Sequence, residues 1–306
     1  MVYNVFSFWH SIRYILVEYK RYKKMGEFYN PDKLYKGGSR NNSLINKKMI
    51  FRVLGVLLFI ESAMFLLCAA VSLCYGEQDY QYFLYTILLN TLVGGVLLIC
   101  SRGAENRLTR RDGYCIVTFT WFLFTLFGML PFYFSGGILS VTDAFFETMS
   151  GFTTTGATIL DDIESLSHGL LFWRSLTQWI GGLGIVFFTI AVLPIFGGGT
   201  MQLFSAEAIG VTHDKTHPRI DVMAKWLWMI YAILTIAETV LLMIGGMSFF
   251  DAVCHSFSTT ATGGYSTKQA SVAYWNSPFI EYVIAIFMIL SGINFSLYFM
   301  CLKGKG

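Results

Sequence analysis

The chain has 306 residues, of which 55% are hydrophobic, 17% aromatic and only 13% charged, with a mean hydropathy of +0.55. An ordinary soluble domain carries about 25% charged residues, so this composition excludes a wholly water-exposed protein and points to a membrane. The formal charge of +3, from 22 basic against 19 acidic residues, is too small an excess for a nucleic-acid binder, and no nucleic-acid-reading motif accompanies it.

Residues 1–48 are rich in Tyr, Lys and Asn and read as a cytoplasmic extension, either a solvated tail or an overlong start. The apolar patch from Val5 to Val17 contains His10 and Arg13 and falls below spanning length, so it reads as interfacial rather than as a crossing or a signal peptide. A bilayer core about 30 Å thick needs about 20 mostly apolar residues per helix. Six runs satisfy this, at about 50–75, 81–100, 114–134, 169–196, 222–245 and 279–302. The fold class expected is an all-α membrane protein with six transmembrane helices.

Charge orients these spans, because Lys and Arg are retained on the cytoplasmic side. Ten basic residues precede Met49; Arg102, Arg107, Arg110 and Arg111 follow the second span, and Lys215, Arg219 and Lys225 the fourth. Lys303 and Lys305 follow the sixth, whereas segments 76–80, 135–168 and 246–278 hold a single basic residue, Lys268. Both termini are therefore expected in the cytoplasm. Asp161, Asp162 and Glu164 fall on the outer side, either concentrating cations there or forming a solvated loop.

Two of the outer segments repeat one another. VTDAFFETMSGFTTTGAT (Val141–Thr158) and FFDAVCHSFSTTATGGYS (Phe249–Ser266) align without a gap, Asp143 on Asp251, Ser150 on Ser258, Thr154 on Thr262 and Gly156 on Gly264. In each, a short helix (Thr142–Ser150, Phe249–Ser258) begins with an acidic residue, which suits a helix N-terminus. Each is followed by a β-branched and Gly-rich stretch that breaks the helix, Thr153–Thr158 and Thr260–Tyr265. Extended backbone at membrane depth is tolerated where its carbonyls line a water-filled path. Carbonyl oxygens replacing the hydration shell of a monovalent cation are the chemistry such a segment offers, with Gly permitting the turn. The bland alternative is a Thr/Gly-rich outer turn.

These segments, with WRSLTQWIGGLGIVFFTIAVLP (Trp173–Pro194) and SPFIEYVIAIFMILSGINFSLYF (Ser277–Phe299), resemble the TrkH/TrkG/KtrB group of bacterial potassium-uptake subunits. The resemblance implies a peripheral transmembrane hairpin at 49–112, a first repeat of outer helix, re-entrant pore helix with filter, and inner helix at 113–221, and a second at 222–306. It implies potassium as the transported ion, no organic cofactor, and filter carbonyls from Thr154, Thr155, Gly156, Thr262, Gly263 and Gly264. It further implies a bacterial inner membrane and a TrkA/KtrA-type cytoplasmic nucleotide-binding regulatory subunit. The family has four such repeats, so the resemblance covers the amino-terminal half. The expected function is that of a potassium-conducting pore subunit, completed by a missing second half or a second pore chain. The alternative is a truncated, non-conducting half acting as an assembly partner.

Glu147, Arg174 and Glu238 are candidate supporting residues. Arg174 and Gln178 stand one helical turn apart, placed to brace the filter through Glu147 or its carbonyls, although Arg174 could equally snorkel to the interface. Glu238, and with less weight Glu61, lies inside a span, where an ionisable group is either functional or a carboxyl hydrogen-bonded to a neighbouring helix. The run Gly181–Gly184 permits close helix approach. The six cysteines form no CxxC pair, His213 and His217 read as a polar linker, and no HExxH, nucleophile elbow or Walker loop suggests an enzyme.

Overall fold

The computed structural model describes residues 45–104, 110–184, 220–293 and 298, with side chains left undescribed at 110 and 220–225. All regular structure among them is helical: α1 Lys47–Cys74, α2 Tyr80–Cys100, α3 Arg110–Gly128, α4 Leu130–Phe134, α5 Val141–Phe152, α6 His168–Gly182, α7 Ile220–Ile244, α8 Phe249–Thr260 and α9 Pro278–Gly292, with a 3-10 turn at Ser271–Trp275. The extension at 1–44, the loop carrying His213 and His217, and the ends of two expected spans, 185–196 and 294–297, lie outside the described residues.

Among the described residues, four stretches are long and apolar enough to cross a membrane, Lys47–Cys74, Tyr80–Cys100, Arg111–Phe134 and Trp226–Ile244. The described part of α9 is a shorter apolar helix, and α6 has 15 residues. Large side chains such as Leu88, Leu92, Ile236 and Ile289 are 60% or more exposed. Water would penalise that exposure and hydrocarbon does not, so these are the faces of a membrane protein.

Helix α1 starts three residues before the expected span because Asn46 caps it, its Oδ1 accepting from the Met49 N–H at 3.2 Å, while its own N–H donates to buried Asp112 at 2.8 Å and ties α1 to α3. Helices α1 and α2 form a hairpin whose backbones meet at Gly55 and Gly94, where a Cβ on either would come within 3.2 Å of the other's carbonyl oxygen. Glu61 is buried in that seam and its Oε2 accepts from Asn90 Nδ2 at 3.1 Å, a neighbouring-helix hydrogen bond.

Helix α6 is the hub. It packs on α1, α5 and α8, with Trp173 wholly buried 4.5 Å from the Phe65 ring and its Nε1–H donating to Gly128 O at 2.8 Å. At its far end the adjacent glycines wedge between two helix ends: a Cβ on Gly181 would strike the Phe152 carbonyl of α5, and one on Gly182 would meet Ala261 just beyond α8. The small-residue run thus serves close approach. At its near end, Ser167 Oγ caps Leu170 N–H, and the His168 N–H donates to both oxygens of Glu77, from the α1–α2 turn, at 3.2 and 2.9 Å. His168 Nδ1 lies 2.7 Å from the same carboxylate, and its ring stacks on Tyr75 at 3.8 Å.

Candidate functional site

The two repeated segments adopt one backbone course. Ser140 Oγ accepts from Asp143 N–H at 3.4 Å and Ser248 Oγ from Asp251 N–H at 3.1 Å, so each short helix is capped by a serine one residue before it. Helices α5 and α8 have 12 residues each and stop at equivalent places, before Thr153 and Ala261. The expected break at Thr260 falls one residue late, because Thr260 turns its hydroxyl back onto the Ser256 carbonyl at 2.7 Å and remains in the helix.

The next residue but one is left-handed in both copies, Thr154 at φ 53° and Thr262 at φ 56°. The following amide reaches five residues back, Thr155 N–H to Ser150 O at 3.0 Å and Gly263 N–H to Ser258 O at 2.9 Å. This is a Schellman-type closure with threonine where glycine is usual, a costly conformation for a β-branched residue. Two residues on, Gly156 at φ 74° and Gly264 at φ 91° turn the chain again. Backbone without regular secondary structure follows each.

These segments meet. A Cβ on Gly156 would run into the Gly263 carbonyl oxygen, so the strands touch with no side chain between them. Gly263 is buried, Thr154 and Gly156 half-buried, and Thr155, Thr262 and Gly264 exposed. The two segments that carry the six candidate filter residues are thus in direct backbone contact at Gly156 and Gly263.

Behind the first strand sits a buried ionic clasp. Arg174 and Glu147 are 2% and 1% exposed, with Nε donating to Oε1 at 2.7 Å. Glu147 also accepts from Thr158 Oγ1 and from Ile159 N–H, each at 3.0 Å, which fixes the outgoing end of the first strand. The Arg174 Nη1 donates to Ser266 O of the second segment at 3.0 Å, and its guanidinium lies 3.6 Å above the Tyr265 ring. Each charge is thus paired and hydrogen-bonded, the condition on which a buried ion pair is tolerated.

Tyr265 is a residue the sequence did not single out. Its phenol reaches back across the seam, donating to Glu147 O at 2.8 Å and lying 3.3 Å from Ala157 O, while Ser150 Oγ donates to Ala157 O at 2.6 Å. The aligned position in the first copy is Ala157, and a large aromatic opposite alanine in an otherwise matched repeat was the available signal. Gln178 braces the second strand: Oε1 accepts from Ser258 Oγ at 2.8 Å and from Tyr265 N–H at 3.2 Å.

Glu238 stands apart from the clasp. It is fully buried on α7, with the Thr259 and Thr260 side chains of α8 beside its carboxyl. Of the outer acids, Glu164 pairs with Lys268 at 3.3 Å and Asp162 caps the Glu164 N–H at 3.1 Å, which favours the loop role over a free cation-collecting patch.

Comparison with known proteins agrees with this geometry. The family model TrkH, described as a cation transport protein, matches residues 79–305. Curated relatives include the Trk system potassium uptake proteins TrkH of Salmonella typhimurium, 44% identical, and TrkH of Escherichia coli, 43% identical, each over 84% of this chain and 54% of the relative. TrkG of Escherichia coli is 35% identical over the same shares. The crystal structure of the potassium transporter TrkH from Vibrio parahaemolyticus superposes with a TM-score of 0.71 at 38% identity, over 84% of this chain and 52% of that one. The chain spans about half the length of the relatives it matches, and all of these are transport proteins, not enzymes. It belongs to the TrkH family of cation transport proteins.

Proposed function

We propose that the chain is part of the pore-forming subunit of a Trk-type potassium uptake system, with Thr154, Thr155 and Gly156 and Thr262, Gly263 and Gly264 lending backbone carbonyls to a potassium-selective filter. The observation that carries this reading is the matched break in both copies: a capped 12-residue helix, a left-handed threonine, a left-handed glycine and a backbone contact between the two copies at Gly156 and Gly263. On this reading α5 and α8 enter the membrane only partway, with their negative C-terminal ends inward, which favours a cation and repels an anion. The stretches 169–196 and 279–302 then complete six crossings, 49–112 forms a peripheral hairpin, and 113–221 and 222–306 are successive pore repeats.

Both termini face the cytoplasm of a bacterial cell and the subunit sits in the inner membrane, as the basic residues near 1–48, 102–111 and 215–225 favour. A TrkA/KtrA-type nucleotide-binding subunit docks on that face. Two strands enclose half of an ion's surroundings, and the other half comes from a second pore segment or a second copy. Glu147 and Arg174 hold the first strand, and Glu238 supports the second pore helix.

Potassium-limited growth of uptake-deficient cells tests this. The chain, expressed from its native reading frame, restores growth, and Gly156→Ser or Gly264→Ser lowers the preference for potassium over sodium while leaving the protein in the membrane. Failure to restore growth at normal membrane abundance assigns the chain to the non-conducting assembly role instead.

A further inference from the structure

Helices α6 and α9 both have 15 residues, and superposing their ends sets Arg174 on Ile284 and Gln178 on Met288. The two positions that carry polar braces on α6 are apolar on α9. Ile284 and Met288 face the second strand across a cavity of about 310 Å³ that also touches Thr262, Gly263 and Gly264. Among the described residues, α9 offers this strand no hydrogen bond.

The opposite flank depends on Gln178. Arg174 reaches only the strand's outgoing end, at Ser266 O, whereas Gln178 Oε1 ties the Tyr265 amide to Ser258 on the pore helix. The side chain is 0% exposed, and a Cβ on Gly263 would collide with its carboxamide. Its Nε2 is buried with no hydrogen-bond partner among the described residues and would stand 3.8 Å from a Cβ on Gly156. The amide thus occupies the space directly behind the seam where the two strands meet.

We infer that Gln178 is the positioning residue that sets the ion preference of the second strand, holding Gly263 and Gly264 against movement toward a smaller cation. The inference rests on the pore reading above. Discrimination by carbonyls, whether through cavity size or through ligand field, fails once a strand can follow a smaller ion inward. With an apolar flank at α9, Gln178 is the one side chain among the described residues that hydrogen-bonds the backbone from Thr262 to Tyr265, beside the Gly263 N–H to Ser258 O closure of the helix end.

The test compares three variants in uptake-deficient cells expressing the chain from its native reading frame, scoring potassium and sodium uptake, the KM for potassium and membrane abundance. Q178M, which copies the α9 residue, lowers the potassium-over-sodium preference about tenfold and raises the KM with little change in maximal rate, as loss of a buried acceptor would. S258A leaves the Tyr265 amide bonded and lowers the preference about threefold. M288L, on the apolar flank, changes neither. Unchanged preference in Q178M at normal abundance overturns the inference, as does an equal shift in M288L. Should Q178M fail to reach the membrane, an unaltered preference in S258A overturns it. An unmutated chain that never discriminates potassium from sodium overturns the pore reading and this inference together.

Discussion

From Ser140 to Ala157 and from Ser248 to Tyr265 the backbone makes the same moves, serine cap, 12-residue helix, left-handed threonine and left-handed glycine, yet the side chains that hold it differ at nearly every equivalent place. Glu147 in the first copy is His255 in the second. The carboxylate bonds Thr158 and Arg174, whereas the imidazole bonds Ser266 Oγ at 3.0 Å and the Asp251 carbonyl at 2.8 Å. Ala157 faces Tyr265, and on the flanking helices Arg174 and Gln178 face Ile284 and Met288. The first copy carries its own charged brace, Glu147, whereas the second supplies only neutral hydrogen-bonding side chains and borrows Arg174 at Ser266 O and the Tyr265 ring. The backbone course is therefore what the repeat specifies, and the means of fixing it is free to vary so long as every buried polar group finds a partner.

This comparison can be broken most forcefully at the charge. Arg174→Met leaves Glu147 buried and unpaired, and should cost about 3–5 kcal/mol, read as a lowered midpoint of thermal unfolding in detergent. The matching change His255→Gln keeps a neutral hydrogen-bonding side chain and should cost about 1 kcal/mol or less. Equal losses from both would show that the two copies are held alike.

The next largest contrast lies between the glycines. Gly156→Ala drives a methyl into the Gly263 carbonyl, while Gly264→Ala meets nothing within 4 Å and pays only the strain of φ 91°. Strain of that kind is worth about 1–3 kcal/mol. Gly156→Ala should therefore alter potassium preference more than Gly264→Ala does, in the same growth and uptake measurements. Smaller again is Tyr265→Phe, which keeps the ring beneath Arg174 but removes the hydroxyl. It should cost about 1 kcal/mol and sharpen the distinction between the cross-seam tie and the ionic clasp. The smallest effects are those of Ser140→Ala and Ser248→Ala, about 0.5 kcal/mol each from loss of an exposed cap, and near-equality between them would show that the two helix starts are interchangeable.

Much of this was legible from the chain. Hydropathy located four of the six expected spans to within a few residues, since a run of 20 apolar residues leaves little choice of structure in lipid. The gapless match of the two segments identified the paired breaks, and the one-turn spacing of Arg174 and Gln178 sets both side chains against the second broken segment, at Ser266 O and the Tyr265 amide. What escaped was whatever depended on contact across the seam. Nothing in a one-dimensional repeat says that Tyr265 would bond carbonyls of the other copy, or that Gln178 would choose Tyr265 and Ser258 over Glu147. The exposed threonines were read as strand formers, yet two of them sit in the left-handed region, where local propensity is overridden by the closure of the helix end. Glu61 and Glu238 looked alike in sequence. One meets Asn90 and the other the Thr259 and Thr260 side chains, a difference decided by the facing helix.

The contact between Gly156 and Gly263 also bears on how such a sequence can change over evolutionary time. Ordinary packing tolerates drift because an enlargement on one side can be offset by a reduction on the other. Here the smallest residue already occupies both sides, so no compensating reduction exists, and a Cβ on Gly263 would in addition displace Gln178. Substitutions at this seam must then fail singly and in combination, while the surrounding braces, which come in interchangeable chemistries, remain open to exchange.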